Sequence, residues 1–204
     1  MTTESDPILL ARLLFQPLAT CEDLAKHEIS ASKIFFGIAV WIGLIPPVFA
    51  FIGATIFGWQ IGAVEPIYLP VPILLGISIA YYITLLFGFV TTAMVSQWMS
   101  ATYGASDSLG THFAVVTIVG APLIIGSVTH LYPHAFINVL ILVPFLIWSM
   151  SLLYRGLPIA LGISREKGML MASALIAYLL VAFVSLLGIT MFLWTQGLGP
   201  ELGV

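Results

Sequence analysis

Charged residues are what this sequence lacks most. Asp, Glu, Lys and Arg make up only 7% of its 204 residues, whereas 60% are hydrophobic. A water-soluble domain carries about 25% charged residues, so this chain has too few of them to cover a surface in water. The composition therefore indicates an integral membrane protein.

Three further absences exclude other classes of protein. The net charge is −3 and six residues are Lys or Arg, so no basic patch is available to neutralise the phosphates of a nucleic acid. Cys21 is the single cysteine, which excludes an intramolecular disulfide. The sequence shows no pairing of a nucleophile with a base and no phosphate-binding glycine loop, so it predicts neither an enzyme nor a cofactor.

Five apolar segments are long enough to cross a membrane, for which about 20 residues suffice. They lie at about 34–58, 70–98, 111–131, 134–154 and 169–194. The sequence therefore predicts an all-α polytopic integral membrane protein with five transmembrane helices. Its predicted parts are a cytoplasmic or interfacial amphipathic N-terminal segment (1–33), the five-helix domain (34–196) and a short tail (197–204).

The N-terminal segment is the only sizeable polar part of the chain. Its sequence predicts a short helix that starts at Ser5 or Asp6 and ends at Pro17, apolar enough to lie in the membrane interface. Thr20 and Asp23 have the spacing of a capping box, which predicts that a second helix starts there. The charged residues that follow are typical of a solvated helix face.

The basic residues predict the orientation of the chain. Cytoplasmic loops of membrane proteins carry an excess of Lys and Arg. With five spans and a cytoplasmic N-terminus, all the basic residues fall on the cytoplasmic side: Arg12, Lys26, Lys33, Arg155, Arg165 and Lys167. The sequence therefore predicts that the N-terminus is cytoplasmic and that the C-terminus lies on the other side.

Small residues recur at every fourth position along the second segment. They are Gly76, Ala80, Thr84, Gly88, Thr92 and Ser96. At ~1.5 Å per residue the row covers about 30 Å, the thickness of the hydrocarbon core. Small residues at this spacing let a second helix approach closely, although they are also frequent in membrane helices in general. We call the row the small-residue ridge and predict that it packs against a helix of the same chain or of a second copy.

Prolines are predicted to kink three of the five segments. They are Pro46 and Pro47 in the first segment, Pro122 in the third and Pro144 in the fourth. Each proline removes a backbone donor from its helix and clashes with the preceding turn. Broken helices line the binding cavities of some transporters, but such prolines are also tolerated as purely structural features.

Ionisable residues are missing from the middle of every segment. Ion-coupled transporters usually keep at least one there, because a charge at that depth is costly and is retained for function. A conduit built on the kinked helices would require Thr117, Ser127 and Asn138 to face one hydrated cavity, with Pro122 and Pro144 at its wall.

Three residues are candidate metal ligands. His130 and His134 are spaced as two ligands on one helix face, and Glu65 is an acid expected on the same side of the membrane. Pro133 lies between the histidines and breaks the helix, so a position at the outer interface without a metal is the alternative. His112, at the start of the third segment, is expected to have an interfacial or capping role rather than to transfer protons.

Four stretches of the sequence resemble the bacterial inner-membrane branch of the Yip1 family. They are LLFQPLATCEDLAKHE (13–28), LIPPVFAFIGATIFGWQIG (44–62), ATYGASDSLGTHFAVVTIVGAPLIIGSVTHLYP (101–133) and LLYRGLPIALGISREKG (152–168). The resemblance covers nearly the whole chain and includes the five-span layout. It implies a multi-pass protein of the bacterial inner membrane. The orientation predicted from the basic residues then places the N-terminus in the cytoplasm and the C-terminus in the periplasm.

The resemblance implies less about function. Eukaryotic members are associated with Rab GTPases and vesicle traffic and carry a long cytosolic N-terminal segment, whereas about thirty residues precede the first span here. Positions that recur in the family, none of them an established catalytic residue, correspond here to Tyr103, Gly104, Pro122, Tyr154, Gly156, Pro158, Arg165, Glu166 and Lys167.

The leading functional hypothesis is a non-enzymatic membrane scaffold or organiser that acts as a homo-oligomer through helix–helix, lipid and protein contacts. It rests on the small-residue ridge and on the absence of buried charge. The alternative is a channel-like or transporter-like conduit for a lipid, ion or small solute. Arg155, Arg165, Glu166 and Lys167 are predicted to contact lipid head groups or a cytoplasmic protein, or only to set the topology.

Overall fold

A computed structural model describes residues 16–26, 29–60, 62, 65–106 and 108–196. Within them the chain forms the helices α1 (Pro17–Leu24), α2 (Ala31–Phe57), α3 (Val71–Tyr103), α4 (Leu109–Leu131), α5 (Ala135–Ala160) and α6 (Arg165–Thr195). Helices α2 to α6 are each long and apolar enough to cross a membrane. The predicted all-α fold with five transmembrane helices is therefore confirmed.

The helix connections meet at two ends of the bundle. At one end, the α3–α4 connection reaches the α5–α6 connection, where the Ser106 backbone N–H donates to the Leu161 carbonyl at 3.1 Å. Helix α1 packs on α5 at this end. At the other end, the Gln60 backbone N–H donates to the Pro133 carbonyl at 3.0 Å. We call these the N-terminal end and the distal end.

Several helix boundaries differ from the predicted ones. Helix α3 continues past 98 to Tyr103, where Gly104 ends it in the left-handed conformation (φ +67°) that favours glycine. Helix α5 continues past 154 to Ala160, although Pro158 lies near its end, and α6 begins at Arg165 instead of near 169. Hydropathy marks only the apolar part of a helix, whereas these helix ends extend beyond the apolar segments.

Helix α1 begins where the sequence predicts that a helix ends. Pro17 lies in its first turn, a position that favours proline because the first N–H groups of a helix have no partner within it. Thr20 therefore lies inside α1, where its hydroxyl donates to the Gln16 carbonyl at 2.9 Å, and the predicted helix start at Thr20 is wrong. The helix predicted to start at Ser5 or Asp6 lies outside the described residues, apart from its end.

Helix α2 is irregular around its predicted kink. A π-helical segment covers Phe35–Ala39, and a turn at Leu44 follows. Pro46 and Pro47 then lie in the first turn of the next helical segment. Their missing N–H groups therefore fall where a new helical segment needs none.

Pro122 and Pro144 lie inside helices that continue past them. Pro122 is buried within the bundle, whereas Pro144 is exposed. One turn before Pro122, the Val119 carbonyl accepts a hydrogen bond from the Ser149 hydroxyl of α5 at 2.5 Å. A side chain from a neighbouring helix thus binds the backbone near the proline, as is common in membrane helices.

The hydrophobic core lies mainly towards the N-terminal end. Cys21 and Leu24 of α1 join side chains from all five long helices in it. Helix α4 is the most buried of the five, and it packs most extensively against α5. The described part of the N-terminal segment is therefore an integral part of the bundle.

Towards the distal end the bundle exposes apolar side chains. Helix α6 exposes Val181 and Phe192, and α3 exposes Ile79 and Phe87. Continuous apolar surfaces of this kind are stable against lipid tails or against another apolar helix.

Candidate functional sites

A cavity of about 210 Å³ lies at the distal end of the bundle. Its lining residues come from α2, the connection after α2, α3, the α4–α5 corner and α5: Ala50, Trp59, Tyr81, His130, Pro133 and Asn138. The lining combines polar groups with aromatic rings and includes no charged side chain.

Hydrogen bonds fix the orientation of His130 in this cavity. The Asn138 amide nitrogen donates to the carbonyls of Tyr132 and His134, each at 3.0 Å. The Asn138 amide oxygen therefore faces the Nδ1 atom of His130 at 2.9 Å. Because that oxygen can only accept, His130 carries its hydrogen on Nδ1, and Nε2 of the neutral ring is an acceptor. The Tyr81 hydroxyl lies 3.4 Å from Nε2.

The candidate metal ligands are not brought together as a ligand set in the described residues. His134 lies at the start of α5, where its Nδ1 accepts from the Ile137 N–H at 3.4 Å. The ring nitrogens of His130 face Asn138 and Tyr81, and Glu65 is exposed outside the cavity lining. The searched residues contain no group of three or more His, Cys, Asp or Glu that could hold a metal ion.

The arrangement that a conduit requires is absent from the described residues. The Thr117 hydroxyl donates to the Phe113 carbonyl at 2.8 Å, and the Ser127 hydroxyl donates to the Ile124 carbonyl at 2.6 Å. Both side chains thus bind their own helix. Of the three polar residues expected in one hydrated space, Asn138 alone lines the distal cavity, and neither Pro122 nor Pro144 lies at its wall.

His112 is buried within the bundle and does not lie at its surface. Its exposed fraction is 0% although it lies in the first turn of α4, the position for which the sequence predicts an interfacial or capping role. Its Nε2 faces the Ser106 carbonyl at 2.9 Å, so this nitrogen donates, and the Nδ1 of the neutral ring accepts from the Ser96 hydroxyl at 2.8 Å. His112 thereby joins α3, α4 and the connection between them.

The small-residue ridge divides into two parts. Thr92 and Ser96 are buried inside the chain. Gly76, Ala80 and Thr84 are exposed, and a Cβ atom added at Gly76 or Gly88 would meet no atom within 4 Å. Among the described residues, no other helix packs against the part towards the distal end.

The charged residues near the start of α6 lie at the N-terminal end of the bundle. Arg165, Glu166 and Lys167 occupy the first turn of α6, and Arg155 lies on α5; all four are exposed. The Lys167 Nζ atom is 3.7 Å from the position that a Cβ atom would take at Gly104. Its positive charge thus lies beside the C-terminus of α3, where the helix dipole favours a cation.

Cys21 is not poised to react. It is buried against α5, where its sulfur faces Gly156. Burial, with a smaller contribution from the neighbouring Glu22 carboxylate, raises the pKa of the Cys21 thiol to about 11. The thiol is therefore protonated at neutral pH, and the nucleophilic thiolate is scarce.

Sequence reasoning missed Trp59 and Tyr81 as members of a site. Trp59 follows α2 directly, and aromatic residues are enriched at the membrane interface, which is the one signal that marks it. Tyr81 lies within an apolar segment, where no local pattern distinguishes it from a lipid-facing tyrosine.

Five apolar helices, an almost uncharged membrane-spanning region and connections at two opposite ends define a multi-pass α-helical membrane protein. The sequence matches the Yip1 domain over residues 11–186, and the chain belongs to the Yip1 family. It is 30% identical over 153 residues to inner membrane protein YohC of Escherichia coli K12, an alignment that covers 75% of this chain and 78% of the relative.

The protein of the same name from Escherichia coli O6:H1 strain CFT073 is similar to the same extent. No solved structure matches the chain. The five apolar helices and the likeness to these inner membrane proteins support a multi-pass protein of the bacterial inner membrane.

Proposed function

We propose that this protein is a non-enzymatic scaffold of the bacterial inner membrane, in which copies assemble through the exposed part of the small-residue ridge. The observation that carries this proposal is the open face formed by Gly76, Ala80, Thr84 and Gly88 on α3. Lipid tails need no such face, whereas a second helix gains close backbone contact from it.

The polar groups within the bundle are consistent with a scaffold. Thr117 and Ser127 bind their own helix, and Ser149 joins α5 to α4. The described spans contain no ionisable pair at mid-depth that would serve ion coupling. The hydroxyl groups are thus bonded to the protein backbone, and Ser149 holds two helices together, which favours a role in assembly over one in transport.

Substitution of the ridge tests the proposal. Ala80→Leu and Gly88→Leu are expected to weaken self-association by about tenfold or more each, because the larger side chains separate the facing backbones. The measurement is the molar mass by light scattering across a concentration series in mild detergent. Gly188→Leu is the matched control, since Gly188 on α6 also has open space around it.

The same two ridge variants can also contradict the proposal that copies assemble through the ridge. If both keep the same oligomeric mass as Gly188→Leu at every concentration, the ridge is not an assembly surface. Unchanged thermal unfolding of all three variants shows that folding of the single chain is intact.

The proposed orientation places the N-terminal end of the bundle in the cytoplasm. Lys26, Lys33, Arg155, Arg165 and Lys167 belong to segments at this end, as the preference of basic residues for cytoplasmic loops requires. At this end Arg165 and Lys167 are exposed to anionic lipid head groups or to a cytoplasmic partner.

Reporter fusions test the orientation. Alkaline phosphatase, which is active only after export, is expected to be active when fused after Val204 and inactive when fused within the α5–α6 connection, Leu161–Ser164. The reverse pattern would show that the N-terminus is periplasmic.

A further inference from the structure

The distal cavity lies where membrane-spanning helices end. Trp59 follows the end of α2, His130 lies in the last turn of α4, and Pro133 lies in the corner before α5. These positions are at the ends of membrane-spanning helices, where polar head groups begin. Ala50 and Tyr81 extend the cavity wall along α2 and α3, away from the helix ends and towards the apolar middle of the spans.

His130 presents a fixed acceptor to the cavity. Asn138 holds its Nδ1–H, so Nε2 is left as the acceptor, and the Tyr81 hydroxyl donates to it. The Tyr81 hydroxyl lies 3.4 Å away, longer than a strong hydrogen bond, for which about 2.7–3.0 Å is usual. A stronger donor can replace this long bond, and Nε2 and the Tyr81 oxygen then offer two acceptors side by side to one group with several hydrogens.

The cavity walls favour a group that also carries positive charge. Trp59 and Tyr81 contribute aromatic rings, and their π-systems attract cations. The lining contains no carboxylate, so an isolated cation would lose its hydration without a counter-charge. A zwitterionic head group supplies that counter-charge itself, in its phosphate.

A second cavity on the same two helices suits a hydrocarbon chain. It has a volume of about 190 Å³, and its lining residues from α2 and α3 include Pro47, Phe51, Ile79 and Tyr82. Phe51 and Tyr82 directly follow Ala50 and Tyr81, which line the distal cavity. Helices α2 and α3 therefore offer a polar site and an apolar groove on adjacent faces.

We propose that the distal cavity binds the primary ammonium head group of a zwitterionic phospholipid, phosphatidylethanolamine, with His130 Nε2 and the Tyr81 oxygen as acceptors and an acyl chain in the neighbouring groove. This deepens the lipid contact of the proposed scaffold but makes no use of the small-residue ridge. A failure of lipid binding therefore leaves the assembly proposal intact. A failure of assembly through the ridge likewise leaves the lipid proposal intact.

Lipid titration with native mass spectrometry tests this proposal on the full chain in mild detergent. Phosphatidylethanolamine is expected to bind about tenfold more tightly than phosphatidylcholine, whose trimethylated head group has no hydrogen to donate. Tyr81→Phe and His130→Phe are each expected to remove most of this preference. Tyr154→Phe is the matched control, because its hydroxyl bonds Ser173 at the N-terminal end, away from the cavity.

Equal binding of the two lipids would overturn the proposal, as would a full preference in Tyr81→Phe. That variant lacks a single oxygen atom, so it remains informative if His130→Phe does not fold.

Competition of small molecules with the bound lipid identifies the chemical group that the cavity recognises. Displacement of the lipid by excess ethanolamine but not by glycerol supports the ammonium assignment, whereas equal displacement by glycerol contradicts it.

Discussion

Gly110→Ala is expected to prevent the bundle from reaching its native packing. Gly110 lies in the first turn of α4, and an added Cβ atom would overlap the Ile29 carbonyl of the chain that enters α2. The carbonyl belongs to the backbone and the backbone of α4 fixes the position of the Cβ atom, so neither yields as a flexible side chain does. Overpacking typically costs about 1–3 kcal/mol and occasionally more, and we expect this overlap to reach at least the upper end of that range.

Thermal unfolding in mild detergent measures this effect. At about 3 °C per kcal/mol for a chain of this size, Tm is expected to fall by about 10 °C or more. Gly188→Ala is the control, since its added Cβ meets nothing within 4 Å, and its effect is expected to stay within about 0.5 kcal/mol. Equal Tm values for the two variants would show that α4 does not pack on the entry to α2 as described.

His112→Leu is expected to reduce stability by a similar amount. The leucine leaves the Ser96 hydroxyl and the Ser106 carbonyl without the imidazole that both of them bind. A buried polar group without its partner costs about 1–3 kcal/mol, so we expect a loss of about 3–5 kcal/mol for the two together. Ser96→Ala removes only the donor to Nδ1 and is expected to cost about 1–2 kcal/mol.

The order of the Tm values tests this hydrogen-bond arrangement. His112→Leu is expected to unfold first, then Ser96→Ala, and then Ser185→Ala, an exposed control on α6. A Tm for His112→Leu equal to that of the control would mean that the histidine does not hold α3 and α4 together.

The five spans could be predicted from the sequence because each apolar run is long and nearly free of charge. The helix ends could not be predicted in this way, since the last turns of α3 and the first turn of α6 are polar and extend beyond the apolar runs. Pro17 shows a related difficulty. Proline can follow a helix or lie in its first turn, and packing of α1 on α5 decides between the two.

The partners of the buried polar residues could not be predicted. His130 meets Tyr81 from a position 49 residues away in sequence, and the register that joins them depends on how α3 packs beside α4. His112 and Ser96 are nearer in sequence, but their meeting depends on the turn at Gly104. The small-residue ridge was visible as a pattern, whereas its division into buried and exposed parts required the fold.

Disulfide cross-linking in native membranes tests the central claim that copies meet at the exposed ridge. Thr84→Cys is expected to form a covalent dimer on oxidation, whereas Val181→Cys on the exposed face of α6 is not. The native Cys21 provides a silent background, because it is buried and its pKa is raised to about 11. If the thiol introduced by Thr84→Cys reacts with a maleimide but yields no dimer, or if Val181→Cys yields as much dimer, the account is contradicted.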